Sequence, residues 1–183
     1  MIEVRFHGRG GQGAVTAAEL LAVAVGMSGK YSQSFPMFGV ERRGAPVMAF
    51  CRVSDRPIRI HQGIEHPNYV VVLDSSLLDY IDVTHGIRDE KVVIVNTNKT
   101  KDEILNQLNV KDVNLYVVDA TSIALKHIGV PIVNTAILGA FAKIADWVDR
   151  DQLIAAVRER FEERPDLADK NVKALEECYN LIE

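Results

Sequence analysis

Five short runs rich in β-branched and apolar residues recur along the chain: IEVRF (2–6), VMAFCRV (47–53), YVVVLD (69–74), KVVIVNT (91–97) and NLYVVDA (114–120). Runs of this length fit strands, and the nearly continuous apolar ones fit strands buried on both faces. Between them lie stretches with helical spacing, among them AVTAAELLAVAVGM (14–27), SSLLDYI (75–81), KDEILNQL (101–108) and TSIALKHI (121–128), several opened by Ser, Thr or Asp where an N-cap belongs. Strand alternating with helix leaves few solutions, because parallel strands need long crossovers and those crossovers cover the sheet. The expectation is an α/β fold, a three-layer, Rossmann-like, mostly parallel sheet with helices on both faces.

After Val130 the strand signals stop. NTAILGAFAKIADWV, RDQLIAAVRERFEE and LADKNVKALEECYNLI read as successive helices divided at Asp149 and Pro165, a helical C-terminal region. Leu153, Ile154, Val157 and Phe161 share one face of the second of these, a stripe that packs on the sheet or meets another chain. A length of 183 residues with 48% apolar content suits one domain over 1–183 with one sizeable core.

The first strand runs into HGRGGQGAVTAAELL (7–21), where Gly8, Gly10 and Gly13 have the spacing G-x-G-x-x-G. Such a loop lets the backbone turn tightly out of a strand and approach a phosphate at a helix N-terminus. A dinucleotide site also requires an acidic residue ending a second strand about twenty residues on, to hold a ribose hydroxyl. GKYSQSF, in that region, has none. The loop therefore either binds a phosphate or other polar ligand, or is a structural turn. The segment SGKYSQSFPMFGVERRGAPV (28–47) reads as a long loop, functional or at an interface. Candidate ligand contacts are Gly8, Arg9, Gly10, Gly11, Gln12 and Gly13 with Arg42 and Arg43. The amides would face an anion and the arginines would supply forked, charge-assisted hydrogen bonds to phosphate, to carboxylate or to a partner protein.

Other candidates have simpler readings. His7 reads as a hydrogen-bonded structural group, and His61 and His66 lack the spacing of a helical metal pair. Asp74 and Asp119 end strands where a crevice would lie, and both read better as N-caps of the following helices. Asn96, Thr97 and Asn98 pose the same choice. There is no G-x-S-x-G elbow, no P-loop, and no clustered Cys and His. Cys51 and Cys178 stand apart and read as small apolar packers. A net charge of -4, from 21 basic and 25 acidic side chains, offers no field for nucleic acid. No apolar run approaches a bilayer span and the N-terminus lacks a signal-peptide core, so the expected location is cytoplasmic. A docking or ligand-contacting module fits these residues better than a self-sufficient catalyst.

GRGGQGAVTAAELLA followed by YSQSFPMFGVERRGAPVMAFCRVSDRPI, with VVIVNT and VNTAILGAFAK further on, closely resembles the gamma subunits of the 2-oxoacid:ferredoxin oxidoreductases, the pyruvate enzyme (pyruvate synthase) in particular. The resemblance implies a cytoplasmic, anaerobic complex that oxidatively decarboxylates pyruvate, joins the acyl group to coenzyme A and reduces ferredoxin. It implies alpha, beta and delta partner subunits carrying thiamine diphosphate, magnesium and 4Fe-4S clusters, with no cofactor on the gamma chain itself. The glycine loop and the arginines would then contact coenzyme A or lock gamma against the catalytic subunits. A branched-chain 2-oxoacid enzyme and a stand-alone NAD(P)-binding oxidoreductase are the alternatives.

Overall fold

A computed structural model describes residues 1–37, 44–88 and 91–182. Six strands form one sheet: β1 (Ile2–Arg9), β2 (Tyr31–Pro36), β3 (Pro46–Ser54), β4 (Tyr69–Val72), β5 (Val92–Asn96) and β6 (Asn114–Val118). Their order is β2-β3-β1-β4-β5-β6. β1, β4, β5 and β6 pair in parallel, while β3 runs antiparallel to both β1 and β2. The six α-helices are α1 (Ala14–Met27), α2 (Lys101–Gln107), α3 (Ala120–His127), α4 (Asn134–Ile144), α5 (Arg150–Arg160) and α6 (Pro165–Leu181), and a short 3-10 helix spans Ser75–Asp79. The mostly parallel α/β sheet with a helical C-terminal region is as the sequence predicts.

The two faces are covered unequally. One large apolar cluster joins Val4, Phe6, Cys51, Val71 and Ile94 on the sheet to buried residues of α1, α3, α4, α5 and α6. A smaller cluster on the opposite face joins Val70, Val72, Val93 and Val95 to Leu78 of the 3-10 helix and Ile104 of α2. The stripe on α5 belongs to the large cluster: Leu153 and Val157 are buried in it, and Ile154 and Phe161 pack against it half-buried. Asp149 accepts hydrogen bonds from the Asp151 and Gln152 amides and so caps α5, while Pro165 stands in the first turn of α6, where its missing N–H costs nothing. Tyr69, Phe141 and Trp147 meet edge to face with centroids 5.4 to 5.7 Å apart, and the Trp147 indole N–H donates to the Tyr69 hydroxyl at 3.2 Å.

One feature departs from the sequence reading. The 28–47 segment is not one long loop, because Tyr31–Pro36 forms the edge strand β2. Its serines and Gln33 carry little strand propensity; pairing with β3 makes the strand, from Tyr31 opposite Ser54 to Pro36 opposite Ala49. A buried row of charged and polar residues lies beneath β1 and β3. Glu3, Arg5, His7 and Arg52 alternate with apolar residues as a solvent-facing row would, yet all four are buried. Arg52 bonds Glu3 at 2.8 Å, donates to the Gln62 carbonyl at 2.7 Å and lies 5.1 Å over the Phe35 ring. Arg5 donates to the carbonyls of Val83 and His85 at 2.9 and 2.7 Å. Irregular segments therefore roof this face in part by accepting from arginines.

A crevice at the carboxyl ends of the strands

After β1 the chain crosses to the β2–β3 hairpin on one side, and it later returns as β4 on the other. Such a reversal opens a crevice outside the carboxyl ends of the strands, where open α/β sheets bind ligands. The crevice has a volume of about 710 Å³. Each parallel strand contributes the residues that follow it: Gly10, Gly11 and Gln12 after β1, Leu73 to Ser75 after β4, Asn96 to Asn98 at the end of β5, and Asp119 with Thr121 and Ser122 after β6. Val130, Pro131, Ile132 and Val133 form an apolar lip that the sequence reading did not single out. Among the described residues, the lining contains no lysine or arginine.

The glycine loop is held from within the chain. Arg9 donates from Nε to Asp74 Oδ2 at 3.2 Å, from Nη2 to Ser76 Oγ at 2.8 Å and from Nη1 to the Gly44 carbonyl at 3.2 Å. Gln12 donates to the same Asp74 oxygen at 2.7 Å and accepts from the Arg9 amide at 2.7 Å. Gly10 pairs with the start of the β3 arm, its N–H reaching the Ala45 carbonyl at 2.9 Å. Asp74 is an N-cap, as read, accepting from the Ser76 amide, but it is also the post to which Arg9 and Gln12 are tied. Burial alone would raise its pKa, but hydrogen bonds from Ser76 and Gln12 and the nearby Arg9 charge hold the carboxyl below its ordinary value. No local pattern reveals this tie, since Asp74 lies far from the loop in sequence.

Several candidate glycines have structural reasons to be there. Gly13 caps α1 at φ 82°, and a Cβ there would meet Asn134 Nδ2 at 2.7 Å. A Cβ on Gly8 would press on that of Ala14 at 3.2 Å. Gly8 and Arg9 belong to β1 itself, and Gly10 to Gln12 are the part of the loop that faces the crevice. Among the described residues, no side chain caps α1. Arg42 and Arg43 lie outside the described residues.

Asp119, Asn96, Thr97 and His7 are structural ties, Thr97 accepting from the Lys99 amide at 3.1 Å. Asp119 caps α3 by accepting from the Ser122 amide at 2.9 Å. Asn96 donates to the Leu73 carbonyl at 2.8 Å and accepts from the Thr121 amide at 3.1 Å, joining three strand ends. His7 is buried, its Nε2 accepts from Arg5 Nε at 3.1 Å, and burial together with the Arg5 charge pushes its pKa down to about 3. The imidazole is thus neutral and structural in the physiological range. Among the described residues, no three His, Cys, Asp or Glu side chains converge as a metal site.

A family model described as pyruvate ferredoxin/flavodoxin oxidoreductase matches residues 3–181. The chain is 56% identical, over 100% of its length and 98% of the other, to the "pyruvate/ketoisovalerate oxidoreductases common subunit gamma" of Pyrococcus furiosus. It is 51% identical to the "pyruvate synthase subunit PorC" of Methanothermobacter marburgensis, over 98% of this chain and 96% of that one. The crystal structure of a pyruvate oxidoreductase subunit from Thermotoga maritima superposes with a TM-score of 0.85 at 35% identity, covering 98% of this chain and 95% of that one.

Proposed function

Because the chain belongs to the pyruvate ferredoxin/flavodoxin oxidoreductase family, we propose that it is the gamma-type accessory subunit of a cytoplasmic 2-oxoacid:ferredoxin oxidoreductase. That complex converts pyruvate and coenzyme A to acetyl-CoA and carbon dioxide, and the two electrons released pass to ferredoxin. The observation that carries the reading is the end-to-end match to a gamma subunit at 56% identity. The name of that relative, common to pyruvate and ketoisovalerate enzymes, favours a second reading in which one gamma chain serves both the pyruvate and the branched-chain complex.

Thiamine diphosphate, magnesium and iron-sulfur clusters belong on the alpha, beta and delta partners in this reading. The cysteines of this chain do not fit a cluster: Cys51 and Cys178 are buried and unpaired, one on β3 and the other on α6. The crevice suits part of coenzyme A. Its apolar lip, Val130 to Ile132, matches the aliphatic stem, and Asn98 lines the crevice beside it as an exposed amide. Its lining bears Asp74 and Asp119 and no cation among the described residues, so the phosphates fall to Arg42 and Arg43. Arg9 acts by holding the loop.

Affinity purification of the chain from its native anaerobic extract, with mass spectrometry and an assay of coenzyme A-dependent ferredoxin reduction, tests the assignment. Recovery of thiamine- and cluster-binding subunits with pyruvate activity is the expected outcome, and activity with 2-oxoisovalerate as well establishes the shared gamma. A chain recovered alone and binding a nicotinamide nucleotide would overturn it. In the intact complex, Arg42→Ala with Arg43→Ala raises KM for coenzyme A and leaves thiamine binding intact; an unchanged KM removes the arginines from that role.

A further inference from the structure

β2 is the outer strand of the sheet on the side of the hairpin. The phase of its hydrogen bonding follows from one contact: the Met37 amide donates to the Met48 carbonyl at 2.9 Å, which continues the register in which Pro36 opposes Ala49. In an antiparallel ladder, alternate residues turn both backbone groups toward the partner strand. Tyr31, Gln33 and Phe35 therefore bond β3, while Ser32 and Ser34 turn their N–H and C=O outward. Sheet edges are normally guarded by charged residues, by bulges or by a covering element. The strand YSQSFP carries no charge, and its proline lies at the far end.

Beside this edge runs a groove of about 760 Å³ between α1, β2 and α5. Its floor is made of small residues, including Ala22, Gly26, Ser32, Ser34 and Ala156, which leave room for long side chains. Glu19, Glu159 and Glu162 stand in its lining against Arg160, the single cation there among the described residues. Val23 on α1 is exposed in that lining, while Tyr31 and Met37, exposed at the two ends of β2, project from the other face of the sheet.

We infer that β2 is a docking edge at which an extended, lysine- or arginine-bearing segment of another subunit adds as a seventh strand. The Ser32 and Ser34 backbone groups hold that strand, and its alternate side chains project into the acidic groove. The groove's excess of carboxylates selects a basic partner segment over a second copy of this chain, whose own acidic walls would meet them. The inference rests on the reading of the chain as a subunit of a larger complex.

Hydrogen exchange of the purified complex against the isolated chain tests it. The Ser32 and Ser34 amides exchange at least tenfold more slowly in the complex, and carbodiimide coupling joins Glu159 or Glu162 to a partner lysine. Equal exchange at both amides in an intact complex overturns the inference and leaves the subunit assignment standing, whereas a chain that recovers no partner defeats both. Ser34→Pro removes an outward amide without touching the β3 ladder, and it releases the chain from co-purified complex. Should that variant fail to fold, Glu159→Lys with Glu162→Lys gives the same readout from surface positions, its isolated chain melting like the parent. An isolated chain that sediments as a dimer and is made monomeric by Ser34→Pro would show that a second copy occupies the edge, which also overturns the inference.

Discussion

Gly139 stands in the middle of α4 where that helix crosses α6. A Cβ at this position would lie 1.9 Å from the Leu175 carbonyl oxygen, 2.8 Å from its carbonyl carbon and 3.1 Å from its Cα. Ordinary contacts begin near 3.4 Å, so Gly139→Ala forces the two helices about 1.5 Å apart, and a gap above 0.5–1 Å already forfeits a large share of the dispersion energy of the atoms around it. Overpacking of a core typically costs ~1–3 kcal/mol, and more where the obstacle is backbone that no rotamer change can clear. Taking about 3–4 kcal/mol for this backbone obstacle, at and above the top of that range, and setting it against ~1 kcal/mol gained from replacing a mid-helix glycine, the net loss is about 2–3 kcal/mol. For a chain of this size that lowers Tm by roughly 4–12 °C. Gly26→Ala makes the contrast, because its Cβ meets Ser32 Oγ at 3.6 Å. That variant should gain about 0.5 kcal/mol. Urea titration and calorimetry of both variants read the difference. A Gly139→Ala protein as stable as its parent would refute the close approach of α4 to α6.

The buried pair Arg52 and Glu3 makes a second expectation: Arg52→Met leaves Glu3 with the half-exposed Arg88 as its charge partner among the described residues and costs about 3–5 kcal/mol, while Arg52→Met with Glu3→Leu costs less than the two single changes summed, as a double-mutant cycle in urea will read. Asp74 has a depressed folded pKa, so its stabilising contribution is present above the unfolded carboxylate value near ~3.9 and is lost as pH falls through the folded value. Asp74→Asn should therefore flatten the acid limb of the stability profile below about pH 5 and speed amide exchange at Gly10 to Gln12; an unchanged acid limb counts against the tie. Burial pushes both Cys51 and Cys178 up to about 12, so neither thiol should react with a disulfide reagent at pH 8 in the native chain and both should react in denaturant. Rapid labelling of either native thiol would contradict that burial.

Much of the architecture was legible without coordinates because it depends on local pattern. The helix AVTAAELLAVAVGM coincides with α1, KVVIVNT and NLYVVDA contain β5 and β6, and Asp119 and Asp149 cap the helices they precede. Each of these rests on period, propensity and capping within a few neighbouring residues. SSLLDYI, read as a helix, is a single 3-10 stretch over Ser75–Asp79. Its Asp74 cap was readable, but its termination at Tyr80 depends on how the chain leaves the sheet.

What only the tertiary structure decided involves residues remote in sequence. YSQSFP is a strand because β3 lies beside it, and a polar stretch with two aromatics carries no signal of that neighbour. Glu3, Arg5, His7 and Arg52 alternate as a wetted face would, and they are buried because carbonyls from Ile60 to His85 fold over them and accept from the arginines. The glycine loop divides along the same line. Its spacing by itself announced a tight turn from strand to helix. That Arg9 and Gln12 are spent on Asp74, and that only Gly10 to Gln12 face the crevice, follows from the parallel pairing of β1 with β4. Local pattern sets the conformation of a segment, whereas the partner that satisfies a buried charge or an open strand edge is chosen by packing across the sheet.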